Sequence, residues 1–423
     1  MQFGVRQNKI ALRRLALGLS STFLWSMTAP ALAGSGTKER GHSRTLSQRE
    51  LQQIRGMQGS FGEPGGMPAS KPAREDDAGS TYPWEASAGG TNTVNRNKLT
   101  TILVVSWSAR GGMAVSLNLY HNSKANRQTE LGYQWTHSYD IYGSLEATTG
   151  DLLVQWGDNL NYTFTKNIDG SYSAPGGIFE TLTYNATTDK YTLTKKDQTV
   201  VTFSKGVGTR YNGSSIADRN GNTITINHNS ADYVTSVVDP TGRTLSFTYS
   251  SGNRLTSVTD PAGRVFSFAF NSQDNLTSVT YPTAGSQTPV VSFGYNAQHS
   301  ITSLTDARGK VWTMGYDSSG KGVTWEKNPL NQQTGYAGGG SDSTVTDALG
   351  NATSYSYDFD GRLAAVTLPG WSSISYGYNA SNLRTSVTDA KMSSLRQTRS
   401  GTPGRLPTMP RTMCSPAPRP AET

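Results

Sequence analysis

Cysteine is almost missing from this chain: the only one, Cys414, stands near the C-terminus. No intramolecular disulfide can form, so the body must be held by burial and strand pairing. Charge is also scarce, at 16% Asp, Glu, Lys and Arg over 423 residues, where a soluble domain usually carries about a quarter. The five histidines, His42, His121, His137, His228 and His299, show no paired metal-ligand spacing, and there is no HExxH or Cys-rich pattern. His137, in Trp135-Thr136-His137-Ser138-Tyr139, reads as a packing or hydrogen-bonding residue. No Gly-x-Ser-x-Gly elbow is present. Gly338-Gly339-Gly340 beside Ser341 reads as a flexible loop, because no Gly-Lys-Ser/Thr follows to cradle phosphate. With no nucleophile, base and stabiliser to assemble, the sequence argues against an enzyme and names no cofactor or metal.

The net charge of +8 suggests nucleic acid until it is located. Residues 1–33 hold Arg6, Lys9, Arg13 and Arg14 without an acid, and residues 391–423 carry a further +5, which leaves −1 on the body between. A basic groove for phosphates therefore has no support there. The first cluster belongs to a secretory signal peptide: a basic start, an apolar stretch from Leu15 to Trp25, and Ala31-Leu32-Ala33 before Gly34. That stretch is short for a membrane anchor, and no later apolar run is long enough to span a bilayer. The expected location is secreted or in the cell envelope.

What the chain has instead is Ser, Thr, Asn, Gly and Tyr, which favour strands and turns. Residues 34–95 read as a polar, mostly disordered lead-in. It contains one short helix over 47–55, with Ser47 as N-cap, Glu50 at N3, Leu46 set to pack on Leu51, and Gly56 as the stop. Residues 96–217 form a β-rich region of alternating runs such as Val115-Ser116-Leu117-Asn118-Leu119-Tyr120.

From 218 to 390 the chain repeats. Anchors at Asp218, Asp239, Asp260, Tyr281, Asp306, Asn328, Asp347, Leu368 and Asp389 are spaced 21, 21, 21, 25, 22, 19, 21 and 21 residues apart. One unit reads Asp239-Pro240-Thr241-Gly242-Arg243, then Leu245, Phe247 and Tyr249, then Leu255-Thr256-Ser257-Val258-Thr259. The turn is chemically explicit: Asp bonds the backbone, Pro presets φ, and Gly accepts positive φ. Asp218, Gly221, Asp239, Gly242, Asp260, Gly263, Asp306, Gly309, Asp347 and Gly350 are accordingly assigned as structural turn residues. Large residues at every second position share one face. Leu255 and Val258, three apart, require a bulge or burial on both faces. A lone hairpin cannot bury its aromatics, so eight units should pair into a continuous sheet of about 16 strands. Accumulated twist makes that sheet curved or spiralling, with Tyr and Phe facing inward. Asp358 and Asp360 before Gly361 could suggest calcium, but the downstream acid is missing and turn capping fits better. The tail 391–423 breaks the pattern: residues 392–423 have six prolines, five arginines and no aromatic. The break falls inside a unit, which favours a shifted reading frame over a purposeful basic tail.

The unit Asp-x-x-Gly-Arg…aromatic-x-Tyr…Leu-Thr-Ser-Val-Thr-Asp resembles the YD repeat of Rhs proteins, also found in teneurins and in shell-forming subunits of insecticidal toxin complexes. Tyr357-Asp358-Phe359-Asp360-Gly361-Arg362-Leu363 is similar to the family's core. Leu119-Tyr120-His121-Asn122-Ser123 and Leu131-Gly132-Tyr133-Gln134-Trp135 are similar to elements that precede its repeats. The resemblance covers roughly 110–390. It implies an all-β chain of tandem hairpins forming part of a hollow shell around an effector, here truncated before any releasing segment. The expected function is a non-enzymatic exported scaffold of a polymorphic-toxin-like system, whose partner is an effector or another repeat chain. The alternative is an envelope adhesin that stacks exposed aromatics on cell-surface glycans.

Overall fold

In a computed structural model the structure describes Gly79 and residues 81–389, apart from Pro83, Trp371, Ala380 and Ser381. The signal peptide, the helix over 47–55 and the tail 391–423 lie outside the described residues. Within them the fold is β throughout, with 31 strands and one short 3-10 turn at Arg110–Gly112.

The repeats fold as antiparallel hairpins. Sixteen strands, from Thr223–His228 to Arg384–Asp389, follow one another in chain order in a single sheet. In seven of the eight hairpins the ladder slips by one residue. In one of them Thr248 pairs with Ser257 and Tyr249 with Leu255, so Thr256 is the extra residue of a bulge. This turns Leu255 and Val258, three apart, onto the same face, and both are fully buried. The exception, Gln333–Gly339 with Asp342–Thr346, has no slip; it belongs to the 19-residue unit. Of the triple glycine, expected as a flexible loop, Gly338 and Gly339 end that hairpin's first strand, and the amide of Gly340, in the turn that follows, donates to the Val94 carbonyl at 2.7 Å.

The repeat tyrosine has a second task besides packing. The hydroxyls of Tyr249, Tyr316 and Tyr378 donate to the carbonyls of Val234, Ile301 and Leu363, at 2.7, 2.6 and 3.0 Å. Tyr295 does the same to Leu276. Each acceptor is the first residue of the second strand in the preceding hairpin. Every such bond ties one unit to the last across the buried face.

Ahead of the repeats, eight strands from Tyr142–Leu145 to Arg210–Ala217 return on themselves. The last strand serves two partners: Arg210–Asn212 pairs with Tyr142–Ser144, and Ser215–Ala217 pairs with Thr223–Thr225. The ring therefore leads straight into the array and has its own core, including Leu152, Phe164, Leu193 and Phe203. The array itself does not close. Among the described residues Arg384–Asp389 pairs only with Ser373–Tyr378.

The aromatic face of the array is not hollow, as the resemblance had implied. A three-stranded sheet of Leu99–Ser108, Ala114–Asn122 and Trp135–His137 lies on it. Val115, Leu117 and Leu119 share one core with Leu245, Phe247, Leu276 and Phe293. Upstream, Ala86 and Val94 pack with Tyr357, Leu363, Val366 and Tyr376. Residues 84–95, expected as the end of a disordered lead-in, are thus part of the fold. Their polar composition hides the burial because hydrogen bonds, not apolar area, satisfy it. Asn92 Oδ1 accepts from the Val94 amide and Asn95 Oδ1 from the Asn97 amide, both at 2.8 Å. Asn97 Nδ2 donates to Asn122 Oδ1 at 2.9 Å.

Candidate functional site: the covered face of the repeat sheet

The turns assigned from sequence line one rim of the array. Asp239 Oδ1 accepts the amides of Thr241 and Arg243 at 2.8 and 3.0 Å, and Oδ2 accepts Arg243 Nε at 2.7 Å. Asp260 repeats this with Ala262 and Arg264. Asp218, Asp306 and Asp347 accept the amides of the residues two and four positions on. Gly221, Gly242, Gly263, Gly309 and Gly350 have φ between 74° and 87°, where a Cβ is strained. Asp239 is buried, which alone would raise its pKa; donors from Thr241, Trp107 and Arg243 outweigh this and hold the carboxyl well below the usual range.

That rim also receives the cover. Trp107 Nε1 donates to Asp239 Oδ2 at 3.0 Å and Arg243 Nη2 to the Ser108 carbonyl at 2.6 Å. Tyr281, which replaces the turn aspartate, donates its hydroxyl to the Leu103 carbonyl at 2.7 Å. On the opposite rim the amides of Leu255, Val323 and Leu363 donate to the carbonyls of Glu130, Arg96 and Trp84, at 3.0, 3.1 and 2.9 Å. Side chains hold the cover at the first rim; at the second, backbone amides do so together with side chains such as Gln128, whose Nε2 donates to Asp274 Oδ2 at 2.9 Å.

Between the rims lies a contact that the sequence reading passed over. Glu326 occupies the register position of Val258 but is a buried acid. Its carboxylate meets the Lys98 ammonium, also buried, and accepts the Tyr336 hydroxyl at 2.6 Å. Arg96 pairs with Asp317 nearby at 2.9 Å. The signal was available: an acid at an apolar position of a repeat requires a partner. The partner's identity was not, because Lys98 lies 228 residues away.

The described histidines serve packing and hydrogen bonding. His137 is buried, with Nε2 2.9 Å from Glu130 Oε1 and Nδ1 accepting the Tyr139 amide at 3.2 Å. His121 Nε2 lies 3.0 Å from the His299 carbonyl, and burial lowers its pKa to about 4. His228 is lowered to about 4 as well, again by burial. Asp358 and Asp360 both face the Arg362 guanidinium, at 2.7 and 3.0 Å. Among the described residues no three metal-binding side chains converge.

A sheet of tandem bulged hairpins, joined by tyrosines and covered on one face, defines a repeat-scaffold class of protein. The RHS Repeat family model matches residues 218–265, 249–287 and 270–310, so the chain carries Rhs repeats over that stretch. No curated protein matches it. Among solved structures it is similar to TcdB2-TccC3-TEV, at 10% identity over 69% of this chain and 23% of that one, TM-score 0.27. It is similar also to the Photorhabdus luminescens Tc holotoxin pore, at 12% identity over 68% and 17%, TM-score 0.29. A porin-like protein from Bacteroides uniformis matches at 11% identity over 60% and 95%, TM-score 0.23. The chain spans about a fifth of the first two structures' chains. No helix among the described residues is long and apolar enough to cross a membrane.

Proposed function

We propose that the chain is a non-enzymatic scaffold: the plugged end of an exported YD-repeat shell, extended at its open strand by an effector-bearing or further repeat chain. The supporting observation is the contrast between the two ends of the array. At its start the sheet continues into the eight-stranded ring, while residues 84–137 cover its face along the array. At its other end, among the described residues, Arg384–Asp389 pairs on one side only, and Val387 is 57% exposed. Its counterparts Val258 and Val279 are fully buried, each between two neighbouring strands. Ser386-Val387-Thr388 also repeats the Ser257-Val258-Thr259 sequence that carries an internal three-residue ladder.

The test replaces residues 390–423 by two further copies of residues 240–260, continuing the unit that Asp389 opens, in a Val387→Cys background. The scaffold reading expects a folded monomer in which the new thiol loses its reactivity, compared with Val387→Cys/Cys414→Ser in the native chain. An unchanged thiol reactivity or an aggregated product would reject it. Export is checked separately, by whether residues 1–33 direct the chain out of the cytoplasm of an expressing cell.

A further inference from the structure

Three tyrosines of the eight-stranded ring surround a fourth, Tyr191. Tyr184 is its direct cross-strand partner in the hairpin of Thr181–Asn185 and Lys190–Thr194. The two ring centroids lie 4.7 Å apart at 37°, which brings the rings into van der Waals contact. Tyr211 and Tyr172 stand edge-on to Tyr191, at 4.8 and 5.7 Å. Exposure separates the pair: Tyr184 is 41% exposed and Tyr191 only 2%. Packing alone accounts for such a cluster of rings, but not for where its hydroxyls go.

Each hydroxyl of the central pair has a route for its proton. Those of Tyr184 and Tyr211 both donate to Asp189 Oδ1, at 2.9 and 2.8 Å. These two donors, Tyr211 first, hold the Asp189 carboxyl below its usual range, so it is a carboxylate at neutral pH. The Tyr172 hydroxyl donates to the Gly150 carbonyl at 3.1 Å. That donation uses its one hydrogen, so its oxygen accepts from Tyr191, 3.2 Å away. Tyr172 is half-buried, and the path from the buried Tyr191 therefore reaches water. A phenol loses an electron far more readily when an aligned acceptor takes its proton in the same step. A second tyrosine pair, Tyr233 and Tyr249 at 5.4 Å, lacks this device at Tyr249, whose hydroxyl donates to a backbone carbonyl.

We propose that this cluster is an oxidation site, where a peroxide joins Tyr184 to Tyr191 through a carbon–carbon bond. The exposed Tyr184 meets the oxidant first, giving it an electron and passing its hydroxyl proton to Asp189. Tyr191 then fills the vacancy. Its electron and the proton held by Asp189 restore the Tyr184 phenol, while its own proton leaves through Tyr172. A second oxidation of Tyr184, its proton again going to Asp189 and on to water, leaves two phenoxyl radicals in contact. Their ortho carbons couple, and the hydrogen on each of those carbons moves to its phenol oxygen. Two hydrogen atoms are lost in all, and one hydrogen peroxide becomes two waters. Contact within the hairpin favours this coupling over encounter with another chain. The assignment concerns the ring and does not depend on the scaffold reading.

The test treats the full chain with hydrogen peroxide and a haem peroxidase, then maps tryptic peptides of the monomer fraction by mass spectrometry. Peptides 167–190 and 191–195 should appear joined, two hydrogens lighter than their sum, with the bond fragmenting to Tyr184 and not Tyr172. Tyr184→Phe, a substitution at an exposed ring, should abolish the joined species. Asp189→Asn, which keeps the turn's φ of 49° accessible, should slow its formation by about tenfold or more. The absence of the joined species in a folded chain overturns the proposal. So does a cross-link that forms first between Tyr233 and Tyr249, one that survives Tyr184→Phe, or a rate that Asp189→Asn leaves unchanged. The scaffold reading survives any of these outcomes.

Discussion

The inter-unit tyrosine bond makes a prediction that works in both directions. Tyr316→Phe removes one hydroxyl and leaves its packing in place. The bond lost is 2.6 Å long, and its acceptor belongs to Ile301, a fully buried residue. A buried carbonyl deprived of its donor costs about 1–2 kcal/mol. At position 270 the array has a phenylalanine, so no hydroxyl reaches the carbonyl of Leu255, the first residue of the preceding second strand. Phe270→Tyr should supply it and stabilise the chain by about 1 kcal/mol. Urea unfolding followed by circular dichroism, on chains matched in m-value, measures both changes. The reasoning is refuted if Tyr316→Phe is neutral within about 0.3 kcal/mol, or if Phe270→Tyr destabilises the fold as simple overpacking would.

Three further outcomes are expected. Lys98→Met alone should cost about 3–5 kcal/mol by stranding Glu326, whereas Lys98→Met with Glu326→Val should recover most of the loss; a double variant as weak as the single one would refute the pairing. Gly242→Ala, at φ 87°, should cost about 1–2 kcal/mol, while Gly252→Ala, with only Ser250 Oγ near the added Cβ at 3.9 Å, should change stability little; denaturation midpoints compare them. His121 and His228, lowered from 6.5 to about 4 in the folded chain, bind protons more readily when unfolded. Their stabilisation is complete above about pH 6.5 and is lost as pH falls toward 4, on the order of 3 kcal/mol for the fully buried His121. Urea midpoints measured across that window should flatten in His121→Phe.

The array was legible because its signals are local and redundant. Asp239 to Gly242 is a turn by chemistry, Leu245, Phe247 and Tyr249 alternate, and the unit recurs at 21 residues. The spacing of Leu255 and Val258 asked for a bulge or burial on both faces, and the structure has the bulge, at Thr256. What sequence could not supply was long-range partnership. The cover is polar in composition over residues 84–98, and its anchors join residues such as Trp107 to Asp239 and Lys98 to Glu326 across well over a hundred positions. The tyrosine hydroxyls were read as core aromatics because alternation reports a side chain's face and not the carbonyl its oxygen will reach.

Hydrogen exchange by mass spectrometry on the full chain tests the central claim most directly, namely that the N-terminal cover and the repeat sheet form one core. The amides of Val115 to Leu119 should exchange as slowly as those of Leu245 to Val258, and both should be released together as urea is added. Fast exchange over Val115 to Leu119 while the repeat strands stay protected would mean that the face is uncovered in solution, and would contradict the account.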